Sequence, residues 1–339
     1  MGTYFLRRLL LVFPTFFGIT ILVFTITRLV PGGPIEKMIV QAQQAEGKTA
    51  RSTAVNMASP LSEDQLAQLR EYYGFDKPVF ASYFHWLSKV LQLDLGSSTR
   101  YSEPVWDIVK KRLPISTFYG VTTMILAYLI CVPLGIAKAV KHGSLFDNLT
   151  SILVFIGYAI PSMVVAIIVL VIFASRLEWF PLGGFVSDDF DSLNTFQKVG
   201  DIVKHAVLPL SAYMMGSFAF MTMLMKNSLL DNLAADYVRT AMAKGRNFRT
   251  AVFKHALQNS LVPNATTFGN NISVILAGSF LIERIFNIDG FGLLGYESVV
   301  ERDYPVVMGI LVLSSVLQLI GNILSDFCVA LVDPRVQFK

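Results

Sequence analysis

The chain has 339 residues, 53% of them hydrophobic and 15% charged, with a mean hydropathy of +0.55, whereas soluble globular domains carry about 25% charged residues. The formal net charge is only +4, and Lys and Arg stand at the ends of apolar runs rather than on one basic face, which argues against a nucleic-acid partner. The two cysteines, Cys131 and Cys328, both lie inside apolar runs, so neither a disulfide framework nor a Cys-based metal site can be built.

A bilayer core about 30 Å thick is crossed by about 20 mostly apolar residues. Six runs of that kind occur, at roughly 9–30, 115–136, 149–174, 206–226, 266–286 and 305–331. The reading is an all-α membrane protein of about six transmembrane helices, with a large external loop between the first two. Residues 1–30 form the first helix, 31–114 the external loop with short helices, and 115–339 a five-helix core. The first run follows Arg7-Arg8 and continues past the length of a signal-peptide h-region, so it is read as a retained helix.

In the external loop, residues 40–60 are rich in Gln, Ala and Ser and read as a mobile segment. Gly47-Lys48-Thr49 invites a nucleotide-binding reading, but Ala42 stands where that motif needs its first glycine. Ser62 and Gln65 form a capping box, with Leu61 and Leu66 as its hydrophobic staple, and Gly74 closes that helix. Pro78 then opens an aromatic-rich helix through Phe80, Tyr83, Phe84, Trp86, Leu87, Val90 and Leu91. That helix either folds against the outer mouth, rests at the membrane interface, or docks an external partner.

The third run contains Pro161, which removes a backbone hydrogen bond and predicts a kink. After the fourth comes a cytoplasmic stretch at about 227–265, longer than a simple connection needs. Asp236-Tyr237-Val238-Arg239-Thr240-Ala241-Met242-Ala243-Lys244-Gly245 predicts a helix and a glycine break, and Arg246 through Asn259 a second helix. Ala241 and Gly245 lie four apart and present one turn almost free of side chain, as insertion into another protein's groove requires. A plain basic surface helix is the competing reading.

The fifth run carries a small-residue stripe, Gly269, Ser273 and Ala277, that lets helices approach closely. Asn270, Asn271 and Glu283 interrupt it and are candidates for a translocation path. Gly290-Phe291-Gly292-Leu293-Leu294-Gly295 matches GxGxxG, but it has no surrounding βαβ unit and reads as an external turn. In the last run Gln318, Asn322 and Asp326 recur every four residues beside Gly321 and Ser325. This inward polar stripe either bonds other helices or forms a wall of the path. His85, His142, His205 and His255 fit no zinc-protease pattern, no serine sits in a nucleophile elbow, and no metal site is expected.

Orientation follows from the basic residues of short loops. Lys226, Arg239, Lys244, Arg246, Arg249 and Lys254 face only Asp231 and Asp236 between residues 226 and 263, which places that stretch in the cytoplasm. Arg7-Arg8, Lys138 to Lys141 and Arg335 to Lys339 fall on the same side, so both termini are expected in the cytoplasm.

The segment Tyr237-Val238-Arg239-Thr240-Ala241 to Lys244-Gly245, followed by Val262-Pro263, resembles the EAA loop of bacterial ABC importer permeases. Arg239 replaces the usual glutamate, in the form seen in oligopeptide and dipeptide permeases. Similarity to the B-type peptide permeases extends through Arg28-Leu29-Val30-Pro31-Gly32, Tyr73-Gly74-Phe75-Asp76, Phe291-Gly292-Leu293-Leu294 and Leu331-Val332-Asp333-Pro334-Arg335. Gly157 to Pro161, Phe180 to Gly184 and Lys226-Asn227-Ser228 look most like the YejB branch, linked to oligopeptides and peptide antibiotics.

The resemblance implies a type I importer fold in the bacterial inner membrane, and a permease subunit without its own nucleotide site. It implies a second homologous permease, two cytoplasmic ATPases that bind ATP and magnesium, and a periplasmic peptide-binding protein. Asp236, Tyr237, Arg239, Thr240, Ala241, Lys244 and Gly245 would couple to the ATPases, and peptide would pass between the paired permeases. An ion-coupled secondary transporter is the alternative; against it, the runs hold few ionisable groups and show no pair of similarly interrupted halves.

Overall fold

The computed structural model describes residues 2–29, 78–276 and 278–332, nearly all of them helical. The expected capping-box helix near Ser62, the segment 40–60, the Gly47-Lys48-Thr49 stretch and the basic C-terminal residues from Arg335 lie outside the described residues. Helices α1 (Gly2–Leu29), α2 (Val79–Leu91) and α3 (Val105–Val140) come first, followed by α4 (Leu145–Ala159) and α5 (Ser162–Val169). Then come α6 (Thr195–Ala234) and α7 (Asp236–Ala243), and a composite α8 made of Phe248–Thr250, the π-helical Ala251–Ala256 and Leu257–Ser260. The chain continues with α9 (Val262–Leu276), α10 (Phe280–Ile285), α11 (Phe291–Val300) and α12 (Tyr304–Val332).

Among the described residues four helices are long and apolar enough to cross a bilayer: α1, α3, α6 and α12. The Pro161 kink is larger than a bend in one helix. α4 and the helix from Ser162 to Arg176 meet at 96° and together make a fifth, broken crossing. The cause is local, because proline disfavours helical backbone in the residue before it, and Ile160 is extended at φ −89°, ψ 120°.

Three expectations are corrected. The run 266–286 is not one continuous helix: α9 has 15 residues and stops before Gly278, which takes φ +77°. The second apolar helix begins at Val105 rather than 115, with Pro114 inside it; Val105, Ile108 and Val109 are buried at helical spacing and anchor its first turns. The GxGxxG stretch is mostly helix rather than turn, because Phe291 to Val300 form α11. Gly292 is there for proximity, since a Cβ on it would sit 2.9 Å from the Gly278 carbonyl carbon and 3.1 Å from the Phe280 nitrogen.

The residues group into two compact units, one of 7–113 with 294–316, the other of 114–293 with the stretch from 317 onward. In the first, α2 buries Ser82, Tyr83, Trp86, Leu87 and Val90 on one face. The Phe24 ring of α1 lies 5.6 Å from that of Tyr83 and 5.5 Å from that of Trp86, and the Thr20 and Tyr83 hydroxyls are 2.9 Å apart. The opposite face, with Phe80 and Leu91, stays exposed. In the same unit Arg100 pairs with Glu297 at 3.0 Å and Glu301 at 2.7 Å.

The second unit packs Tyr119 of α3, Ala166 and Ala174, Ala206 and Ala212 of α6, and Ile282, Phe286 and Ile288 into one apolar cluster. Alanines bring the helix backbones close, as they do where lipid supplies no hydrophobic drive between helices. The stripe expected at Gly269 does the same: a Cβ there would collide with the Gly321 carbonyl oxygen of α12. Beside it the Ser325 hydroxyl donates to the Ala265 carbonyl at 3.2 Å.

Gly269→Ala should therefore overpack the α9–α12 contact and cost about 1–3 kcal/mol. Thermal unfolding in detergent checks this, with Gly216→Ala in α6, whose Cβ would meet nothing within 4 Å, slightly raising the midpoint as helical Gly→Ala changes do.

Candidate functional site

At about 1.5 Å per residue, the 40 residues of α6 make a rod roughly twice as long as a bilayer core is thick. Its end at Ala234 carries an arm, α7 followed by α8. Ala235 is extended at ψ 147° and turns the chain sharply. Gly245 ends α7 at φ +85°, a conformation that a Cβ would strain; its N–H donates to the Met242 carbonyl at 2.9 Å, and that of Arg246 to Ala241 at 3.2 Å. Asn247 caps α8 by accepting from the Thr250 N–H at 2.8 Å. The expected helix, glycine break and second helix are all present.

Apolar packing holds the arm on its base. Val238 is the buried residue of α7 and joins Ala251, Val252 and Ala256 of α8, Met225 and Leu229 of α6 and Ala139 of α3 in one cluster. Polar contacts tie the same elements: Tyr237 donates to Asn232 Oδ1 at 2.6 Å, Asn259 Nδ2 to the Tyr237 hydroxyl at 3.1 Å, and Ser260 to the Ser228 carbonyl at 3.3 Å.

The rest of the arm faces outward. Asp236, Tyr237, Arg239, Thr240, Lys244 and Gly245 are exposed and Ala241 is half-buried. The Thr240 hydroxyl is turned back onto the Asp236 carbonyl at 2.8 Å, and Arg239 reaches Asp236 at only 4.0 Å. Between α7 and α8 lies an open cavity of about 670 Å³, lined by Tyr237, Thr240, Ala241, Lys244, Arg246, Lys254, His255, Gln258 and Asn259. Six of the seven expected coupling residues thus form one exposed surface with a cationic recess, and Ala241 lines that recess.

The expected path residues are more scattered. Gln318 donates to Asn322 Oδ1 at 3.2 Å, Asn322 is exposed, and Asp326 is 9% exposed. Asn271 is half-buried, with its amide 3.9 Å from the Met221 sulfur; the Asn270 side chain lies outside the described residues. Glu283 is 1% exposed and accepts from the Leu293 N–H at 2.6 Å, the Ser116 hydroxyl at 3.4 Å and the Tyr213 hydroxyl at 3.4 Å. Its carboxylate closes the break between α9 and α11.

One constellation escaped the sequence reading. Lys138 and Lys226, read from sequence as basic loop ends, form a buried ionic cluster with Asp147 at its centre. The available signal was Ser144-x-x-Asp147, a helix-start pattern; the Ser144 side chain does accept from the Asp147 N–H.

Bilayer-length helices, one of which ends in an exposed helix–glycine–helix arm, are the build of a transporter's membrane subunit. The chain belongs to the family described as binding-protein-dependent transport system inner membrane component, which matches residues 131–338. The peptidoglycan transport system permease protein YejB of Agrobacterium fabrum is 39% identical, covering 100% of this chain and 99% of that protein. The inner membrane ABC transporter permease protein YejB of Escherichia coli O157:H7 is 40% identical over 100% of both. The oligopeptide transport system permease protein AppB of Bacillus subtilis is 34% identical, again over 100% of both.

Leu229→Ala, at a residue with 0% exposure in the arm's base, should cost about 2–5 kcal/mol. Hydrogen exchange should then quicken across 236–243 while that of 162–169 keeps its rate.

Proposed function

We propose that this chain is the transmembrane permease subunit of an ATP-binding-cassette importer that moves peptides into the cytoplasm. The observation that carries the reading is the α7–Gly245–α8 arm, fixed by an apolar cluster to bilayer-length helices and exposed on its other side. Full-length similarity to permeases named for oligopeptide and peptidoglycan transport supports peptide-bearing cargo. Membership in a binding-protein-dependent family sets aside the ion-coupled alternative.

In this reading the arm lies in the cytoplasm with both termini, and the loop after α1 faces the periplasm of a bacterial inner membrane. The chain binds no nucleotide. ATP and magnesium are held by two ATPase subunits that receive Asp236, Tyr237, Arg239, Thr240, Ala241, Lys244 and Gly245. A second homologous permease completes the path, and a periplasmic binding protein delivers peptide to it. Closure of the ATPases on ATP displaces the two arms, and the spans exchange outward for inward access. Asn270, Asn271, Glu283, Gln318, Asn322 and Asp326 are the path candidates, and Glu283 also accepts from three donors at a helix break.

The test is purification from the native membrane in mild detergent. Two ATPases and a second permease should accompany the chain, with ATP hydrolysis stimulated by peptide-loaded binding protein. Gly245→Trp, which forces a bulky side chain onto φ +85° in the arm, should insert normally yet lose the ATPases and all peptide uptake. Solute movement under an ion gradient by a chain that recruits no ATPase would sink the proposal.

A further inference from the structure

Asp147 is 2% exposed and Lys138 0%. Lys226 Nζ lies 2.7 and 2.8 Å from the two Asp147 oxygens, and Lys138 Nζ lies 3.1 Å from Oδ1. Lys138 also donates to the Asp147 carbonyl at 3.0 Å, to Thr150 at 2.9 Å and to Ser151 at 2.8 Å. The Gly143 N–H and the exposed His142 ring each reach Oδ2 at 3.2 Å. One carboxylate therefore joins the ends of three helices: α3 through Lys138, α4 through its own backbone, and α6 through Lys226. Lys226 Nζ thus bridges both oxygens of this one carboxylate.

The neighbours of these lysines matter as much. Ala139 follows Lys138, and Met225 and Leu229 flank Lys226, and all three belong to the apolar cluster that seats Val238, Ala251, Val252 and Ala256 of the arm. Arm, α6 end and α4 start are thus fastened by two adjoining layers, one apolar and one ionic. Beyond Asp147, α4 runs to the Pro161 break and the 96° bend.

Stability alone gives little reason for charge here, since well-packed apolar residues in place of a buried ion pair are often neutral or stabilising. What paired charges add is direction, because a displaced ammonium loses its partner at once, whereas an apolar contact can slide.

We propose that Asp147 is a positioning residue that locks α4 to the arm-bearing end of α6, so that displacement of the arm moves α4 and the bent span after it. This rests on the importer reading, in which the arm receives force from the ATPases.

The experiment uses the complete transporter in liposomes and measures peptide moved per ATP hydrolysed. Lys226→Met removes one ammonium and leaves Lys138 paired with Asp147. It should retain both ATPases and their hydrolysis while peptide per ATP falls about tenfold, and Lys226→Arg should restore most of that ratio. An unchanged ratio in Lys226→Met would overturn the proposal, as would uptake and hydrolysis falling together in proportion. If Lys226→Met yields no complex, Asp147→Glu keeps the charge and lengthens the side chain; a lowered ratio supports the lock and a normal ratio removes it. A wild-type complex without ATPases or peptide uptake would instead defeat the importer reading itself.

Discussion

A chain that crosses hydrocarbon has no water to receive its backbone polar groups, so every break in a helix must be closed from within the protein. Glu283 meets that demand where α9 gives way to α11. Gly278 turns the chain at φ +77°, and the Leu293 N–H, Ser116 hydroxyl and Tyr213 hydroxyl converge on the Glu283 carboxylate. Ser116 also accepts from the Phe291 N–H at 2.8 Å, so a donor on α3 and a donor on α6 are spent on the same break. The glycines around it, Gly278, Gly290 and Gly292, leave room for this convergence, because a Cβ on any of them would meet Glu283 or the facing backbone.

That arrangement explains which features could be read from sequence. The apolar runs that became α1, α6 and α12 and the proline signal at Pro161 depend on local physics, and they appear where expected. The arm was equally legible, since small residues four apart, a glycine and a new helix start are local devices. The fate of 266–286 was not, because its composition suits a span while its end is set by a carboxylate whose partners lie at positions 116, 213 and 293. α3 starts ten residues before its apolar run, with Pro114 inside it, because burial of Val105, Ile108 and Val109 outweighs the one hydrogen bond a proline removes.

Charged residues carried the same ambiguity. Lys138 and Lys226 served in the sequence only as counters for orientation, yet both are folded inward onto Asp147. Sequence gives the sign and rough depth of such residues, but pairing between positions 79 residues apart arises only when three helix ends meet. Glu283 was legible as unusual, but the three donors that converge on it, from positions 116, 213 and 293, were not.

The uninterrupted run of α6 has an evolutionary consequence. Each residue of an α-helix turns the chain by about 100°, so a single insertion anywhere between Ala206 and Lys226 would rotate the remainder of the rod relative to its upper half. Lys226 would swing off Asp147, Met225 and Leu229 would turn away from Ala139 of α3, and the arm would be carried round with them. Changes of length are therefore tolerable in the connections, while α6 tolerates substitution alone.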